Sequence, residues 1–156
     1  MLSQTIFRSA LWMGLGMWVG SWAFFAFVIS RIAFQVLPGN VAGDLAGALL
    51  SILHLGGAAA AIVAAGAAAA LGRRGVFIVL PVGLALVCLI SELWITPGIA
   101  AVRPSAVGPA SSIESAELFR RLHQLSIGLF LAVHLGSIGL IVLHARLDAR
   151  QTRLNP

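Results

Sequence analysis

The 156-residue sequence has no lysine, one cysteine and five acidic residues, and these shortages exclude several classes of protein. Cys88 is alone, so the chain can form neither an internal disulfide nor a cysteine-rich metal site, and we expect Cys88 to be a packing residue. Without lysine there is no phosphate-binding loop of the glycine–lysine type. The sequence also has no nucleophile elbow and no His-Glu-x-x-His motif. We therefore expect a protein that is not an enzyme.

The composition is that of a membrane protein. Hydrophobic residues make up 60% of the chain and charged residues 10%, and the mean hydropathy is +1.01. These values lie outside the range of soluble globular domains. The net charge of +5 comes from arginines at the ends of apolar runs, where they orient helices and contact anionic headgroups. No basic stripe is interleaved with exposed aromatic residues, so we expect no nucleic-acid binding.

Four apolar stretches are long enough to cross the hydrocarbon of a bilayer, which takes about 20 residues. They predict helices at about 9–29, 45–71, 75–99 and 112–148, in a single all-α bundle over residues 1–156. We expect the first helix to be retained rather than cleaved as a signal peptide, because its apolar run is long and rich in tryptophan. The fourth begins with an amphipathic interfacial segment, and Ser111 with Glu114 matches a capping box at its start.

The arginines predict the orientation of the bundle. One side carries Arg8, Arg73, Arg74, Arg146, Arg150 and Arg153, and the other carries Arg31, Arg103, Arg120 and Arg121. The positive-inside rule then places both termini in the cytoplasm, and we expect the protein in a bacterial inner membrane. Small residues at four-residue spacing predict close helix–helix contacts within the bundle and with other membrane helices, as a homo-oligomer or a larger complex. These residues are Gly16, Gly20, Gly43, Gly47, Gly128, Ala132 and Gly136.

Polar residues gather at the predicted extracytoplasmic end. They are Arg31, Asp44, Glu92, Arg103, Arg120, Arg121, His123 and Ser126. A carboxylate within a membrane segment is usually paired with another polar group or has a function, because its burial in lipid is costly. We expect Glu92 to pair with one of these arginines and to clasp the third helix to the fourth. The alternative is a polar pocket that binds an anion or a metal.

The histidines form a second group of candidate functional residues. His54 and His134 lie at similar predicted depths in the second and fourth helices, and His123 lies about three turns before His134 on the same face. Two histidines on different helices could ligate a b-type haem or contribute to a transition-metal site. The alternative is that each imidazole bonds a group on a neighbouring helix. His144 is expected at the cytoplasmic interface, near a helix C-terminus.

Several short motifs occur in an order typical of one family. They are Gly14 and Gly16 before Trp18, Phe24, Phe25, Phe27 and Phe34, Pro97-x-Ile99 with Arg103, and Leu118-Phe119-Arg120-Arg121-Leu122-His123-x-x-Ser126. In this order the chain resembles the transmembrane protein 205-like family. The resemblance implies four membrane helices and no established enzymatic activity.

Three functional hypotheses follow from these patterns. The first is a non-enzymatic inner-membrane protein that acts as a small accessory or assembly subunit of a membrane complex. The second is a haem- or metal-binding bundle with His54 and His134 as ligands and His123 near the site. The third is a carrier of a small solute or metal ion, with transport that depends on Glu92.

Overall fold

The computed structural model describes residues 2–103 and 112–154, and over these residues the chain is helical with no strand. The helices are α1 (Leu2–Phe24), α2 (Ser30–Val36), α3 (Gly39–Ala70), α4 (Val76–Ile90), α5 (Thr96–Val102) and α6 (Ile113–Leu154). A first π-helical segment, Phe25–Ile29, joins α1 to α2, and a second, Ser91–Ile95, joins α4 to α5. The predicted all-α class is confirmed.

Within the described residues, four helical stretches are long and apolar enough to span a membrane: Leu2–Val36, Gly39–Ala70, Val76–Val102 and Ile113–Gln151. This is the architecture of a multi-pass membrane protein, as predicted. Each stretch is longer than the apolar run from which it was predicted, because hydropathy marks only the part that crosses hydrocarbon. The third ends at Val102, slightly beyond the predicted end near residue 99. Pro97 does not end it, because Pro97 lies in the first turn of α5, where its missing N–H is tolerated.

The turn at residues 72–75 ends α3 sharply and reverses the chain into α4. Gly72 and Gly75 have φ values of 73° and 63°, a region that favours glycine. The Arg73 amide donates to the Ala68 carbonyl and the Gly72 amide donates to the Ala69 carbonyl, each at 2.9 Å. This pair of bonds is a Schellman motif. It turns the arginine at position 73 into the bundle, where it is buried.

The start of α6 is capped by a serine. The Ser112 hydroxyl oxygen accepts a hydrogen bond from the Ser115 amide at 3.1 Å, which satisfies one of the free N–H groups of the first turn. Ser111, the residue of the predicted capping box, lies outside the described residues.

The core is formed where α1, α3, α4 and α6 meet. Large side chains of α1 and α6 pack against the alanines of α3, and Cys88 is fully buried among them, as expected of a packing residue. The largest of these buried side chains are Leu11, Leu15, Trp18, Trp22, Val133 and Leu140. Alanine on α3 lets the neighbouring helices approach closely, which supplies the packing that lipid does not drive.

The glycines that make close contacts differ in part from those expected. A β-carbon at Gly16, Gly20 or Gly128 would meet nothing within 4 Å. At Gly57 it would lie 2.9 Å from Trp18 Nε1, and at Gly136 it would lie 2.9 Å from a methyl carbon of Leu84. Four-residue spacing therefore did not by itself identify the packed faces, because exposed faces of membrane helices also carry small residues.

Candidate functional site

A polar cluster lies between α3 and the second π segment. The Ser51 hydroxyl donates to Glu92 Oε1 at 2.5 Å, and His54 Nδ1 lies 3.3 Å from Glu92 Oε2. Ser51 and His54 are three residues apart on α3, so both face the carboxylate. Glu92 is thus supplied with two partners inside a membrane span, where an unpartnered carboxylate would be costly.

This arrangement differs from the expected clasp between Glu92 and an arginine. In the structure Glu92 bonds residues of α3, and Arg103 pairs with Asp44, also on α3. Arg121 pairs with Glu117 one turn away at 2.5 Å, while Arg31 and Arg120 are exposed. Among the described residues, the polar contacts of Glu92 and Arg103 therefore tie this part of the chain to α3 rather than to α6. The reason is the register of α3, which presents Asp44, Ser51 and His54 towards the third span.

Arg103 lies at the end of α5 against two glycines of α3. A β-carbon at Gly47 would lie 3.1 Å from Arg103 Nη2, and one at Gly43 would lie 3.9 Å from Nη1. The absence of side chains at these positions lets the guanidinium lie on the backbone of α3. Arg103 is 23% exposed, whereas its partner Asp44 is 71% exposed.

A cavity of about 680 Å³ opens beside Arg103 and is lined by all four spans. Most of its wall is apolar, with the aromatic side chains Phe25, Phe34, Phe119 and Phe130. Its volume lies within the range of small-molecule binding pockets. Both π segments border it, since Phe25 and Ala26 belong to the first and Thr96 directly follows the second. Single-turn π-helices occur frequently at functional sites, because they redirect side chains and free backbone carbonyls.

The polar lining of the cavity includes basic side chains. Of the described residues that line it, Arg103 and His123 are titratable and none is acidic. His123 stacks on Phe119 with a centroid distance of 5.7 Å, and Ser126 lies one turn further along α6. Arg103, His123 and Ser126 are thus brought together at one cavity, whereas Glu92 belongs to the neighbouring cluster with Ser51 and His54.

The two deep histidines are connected through other rings. Trp22 lies 5.9 Å from His54 and is stacked on Phe130 at 4.5 Å, and Phe130 lies 6.3 Å from His134. Trp22 is also held in place by a hydrogen bond of 3.3 Å that its Nε1–H donates to the Leu53 carbonyl oxygen. A haem held by both histidines needs an open slot between them, and here stacked aromatic rings link the two imidazoles. His54 and His134 as placed do not fit that cofactor.

The candidate metal ligands are not clustered in the described part of the chain. Within residues 2–103 and 112–151, no group of three or more His, Cys, Asp or Glu side chains is placed to hold a metal ion. The Nδ1 atom of His134 is buried without a hydrogen-bond partner, while His54 Nδ1 faces Glu92.

A second polar cluster lies at the opposite end of the bundle. Arg73 donates through Nη1 to His144 Nδ1 and through Nη2 to Asp148 Oδ1, the latter at 2.5 Å. His144 is fully buried and packs against Phe77. Because Nδ1 accepts from Arg73, His144 is in its neutral form with the proton on Nε2. This cluster joins the α3–α4 turn to α6.

Electrostatics keep Arg73 charged in this position. Burial lowers the pKa of the Arg73 guanidinium, and the Asp148 carboxylate opposes that shift. An arginine pKa is high enough that the group stays protonated. Arg8, at the start of α1, donates to Gln151 Oε1 at 3.4 Å near the same end. The beginning of the first span and the end of the last therefore lie at one end of the bundle.

Sequence reasoning missed Ser51, the Arg103–Asp44 pair and the Arg73 cluster. Two of the three leave a signal in the sequence. Ser51 and His54 are three residues apart, and His144 and Asp148 four apart, so each pair shares a helix face. Which residue meets that face depends on the rotation of the neighbouring helix, and spacing along one helix does not carry that information.

Replacing Ser51 with alanine is expected to lower the free energy of unfolding by about 1 kcal/mol. The change removes the hydroxyl donor of Glu92 and leaves the carboxylate with His54 alone, and interhelical hydrogen bonds in membranes contribute roughly this amount. Unfolding by sodium dodecyl sulfate in mixed micelles measures the difference. Ser21→Ala is the matched control, because the Ser21 hydroxyl bonds the Trp18 carbonyl of its own helix. Equal effects of the two substitutions would contradict the interhelical role of Ser51.

One protein-family model matches the part of the chain that contains most of this site. Residues 13–107 match the family model of DUF4149, described as a domain of unknown function. The match includes the Ser51–His54–Glu92 cluster and Arg103, and it carries no link to the transmembrane protein 205-like family. No curated protein and no solved structure matches the chain. Because the match extends over more than half of its length, the chain belongs to the DUF4149 family of domains of unknown function.

Proposed function

We propose that this protein is a non-enzymatic binding protein of the bacterial inner membrane, which holds an apolar or amphiphilic molecule between its helices. The observation that carries the proposal is the cavity of about 680 Å³ beside Arg103. Phenylalanine and aliphatic side chains line most of it, which suits a hydrocarbon group.

The proposed location is the inner membrane with both termini in the cytoplasm. Arginine distribution supports it, because six arginines on this side outnumber the four on the other: Arg8, Arg73, Arg74, Arg146, Arg150 and Arg153. The contacts of Arg8 with Gln151 and of Arg73 with Asp148 bring these basic segments to one end of the bundle.

We further propose that the bound molecule is used by a larger membrane assembly, in which this chain is a small accessory subunit. The connections that join α2 to α3 and α3 to α4 are short turns, so binding is the task of the helices themselves. Exposed glycines such as Gly16 and Gly20 leave α1 with a face on which another membrane helix could pack closely. Stoichiometric co-purification with other membrane proteins would support this role.

Filling the cavity tests the binding proposal. Ala46 lines the cavity, and Ala46→Phe is expected to reduce bound lipid or other apolar ligand by about tenfold because the ring occupies the same space. Native mass spectrometry and solvent extraction of the purified protein measure the ligand. Ala48→Phe is the matched control, because Ala48 is exposed on the same helix two residues away.

Three outcomes would count against the proposal. Equal ligand content in both variants would place the molecule on the outer surface of the bundle. A Soret band in the absorbance spectrum, lost on His134→Ala, would favour the haem alternative over the ring packing described above. Ion or solute flux in liposomes that is lost on Glu92→Gln would favour the carrier alternative.

A further inference from the structure

The charge of the cavity wall selects among the molecules that could occupy it. Arg103 and His123 are its only titratable residues among those described, and both are basic. A cationic headgroup would meet no carboxylate there. A neutral molecule would offer no charged acceptor to the N–H donors of Arg103 that Asp44 leaves free. Charge complementarity therefore favours an anion.

Arg103 is held in a position to receive such an anion. Gly43 and Gly47 let its guanidinium lie on the backbone of α3, at the edge of the cavity. Among the described residues its acidic partner is Asp44, which is bonded through Nη1. A guanidinium has five N–H donors, so this single bond leaves donors for a carboxylate or a phosphate.

Asp44 does not line the cavity and is mostly exposed. Its carboxylate therefore reaches Arg103 from outside the cavity wall. An exposed ion pair contributes little free energy, so a better-placed anion could replace it.

Resting on the function proposed above, we propose that the cavity binds an amphiphile with a carboxylate or phosphate headgroup, which displaces Asp44 from Arg103. The hydrocarbon portion then lies along Phe25, Phe130 and Leu131, and His123 lies near the headgroup. Arg103 positions the headgroup and selects for its negative charge, whereas the aromatic wall contributes affinity without selecting a headgroup.

Binding of matched amphiphiles to the purified full-length protein tests this inference. The probes are palmitate against hexadecanol, and phosphatidylglycerol against phosphatidylcholine in nanodiscs of otherwise equal composition. We expect the anionic member of one pair to bind about tenfold tighter than its neutral or zwitterionic partner, as a charge-assisted bidentate bond provides. Which pair responds distinguishes a free fatty acid from a membrane phospholipid as the source of the headgroup.

Two substitutions and one control variant separate a binding role of Arg103 from a structural one. Arg103→Gln is expected to abolish the preference for the anion, while Arg120→Gln, an exposed arginine of α6, leaves it unchanged. Asp44→Asn is expected to strengthen anion binding severalfold, because it removes the competing carboxylate. If the Arg103–Asp44 pair served only to stabilise the fold, Asp44→Asn would weaken binding or leave it unaltered.

The possible failures are distinguishable. Equal affinity for anionic and uncharged probes, with no response to Arg103→Gln or Asp44→Asn, would overturn the anionic headgroup and leave the apolar binding site standing. Failure of every probe to bind, with no effect of Ala46→Phe, would overturn the proposed function itself.

Discussion

Replacing Arg73 with alanine is expected to lower the free energy of unfolding by about 3 kcal/mol, although Arg73 lies in a turn between two membrane helices. The side chain is 4% exposed and bonds both His144 and Asp148. Removing one partner of a buried pair is strongly destabilising, because the other partner loses its compensation without regaining water. Denaturation by sodium dodecyl sulfate in mixed micelles measures the change.

Three losses add up in the Arg73→Ala variant. His144 Nδ1 loses its donor in a fully buried site, where the Nε2 atom of the same ring has no hydrogen-bond partner. Asp148 loses the guanidinium. The α3–α4 turn also loses its contact with α6, which is made by the stem and head of the arginine.

The neighbouring arginine provides the control. Arg74 is exposed in the same turn and carries the same charge, so Arg74→Ala is expected to change stability by less than about 0.5 kcal/mol. Equal destabilisation by the two substitutions would mean that charge near the membrane surface, rather than the buried cluster, stabilises this end. Arg73→Met combined with His144→Phe is expected to recover part of the loss, because it replaces the Arg73–His144 pair with apolar groups.

Much of the fold could be predicted from the sequence because the bilayer imposes strict length and polarity requirements. Apolar runs of about 20 residues predict spans, and paired glycines around Arg73 and Arg74 predict a tight turn. Both features depend on neighbouring residues in the chain. The two π segments were not predicted, because Phe25–Ile29 and Ser91–Ile95 have the composition of ordinary membrane helix.

The site was less predictable for a different physical reason. Glu92, Arg103, His54 and His123 were recognised individually as polar groups in an apolar chain, yet their partners depend on how the helices are rotated. The position of Arg103 against α3 has one signal in the sequence, the four-residue spacing of Gly43 and Gly47, which face its guanidinium. The same spacing at Gly16 and Gly20 meets open space. Pairing between helices therefore required the three-dimensional structure.

Gly57 is the position at which an added side chain is expected to disturb the bundle most. It faces a junction of α1, α3 and α4, where a β-carbon would lie 2.9 Å from Trp18 Nε1, 3.3 Å from Cys88 Sγ and 3.4 Å from a ring carbon of Trp22. All three neighbours are buried and rigidly packed, so none can move aside without moving a helix.

Gly57→Leu is therefore expected to lower the free energy of unfolding by about 3 kcal/mol, at the upper end for overpacked cores. Lipid provides no hydrophobic force to hold displaced helices together, so loss of close packing removes a main source of association. The adjacent glycine is the control, because a β-carbon at Gly56 meets nothing within 4 Å. Gly56→Leu keeps the added volume and helix propensity while facing outward, and it is expected to be neutral or stabilising by up to about 1 kcal/mol. Equal stability of the two variants in detergent unfolding would show that α1, α3 and α4 do not meet closely at this junction, since the two positions differ only in the direction they face.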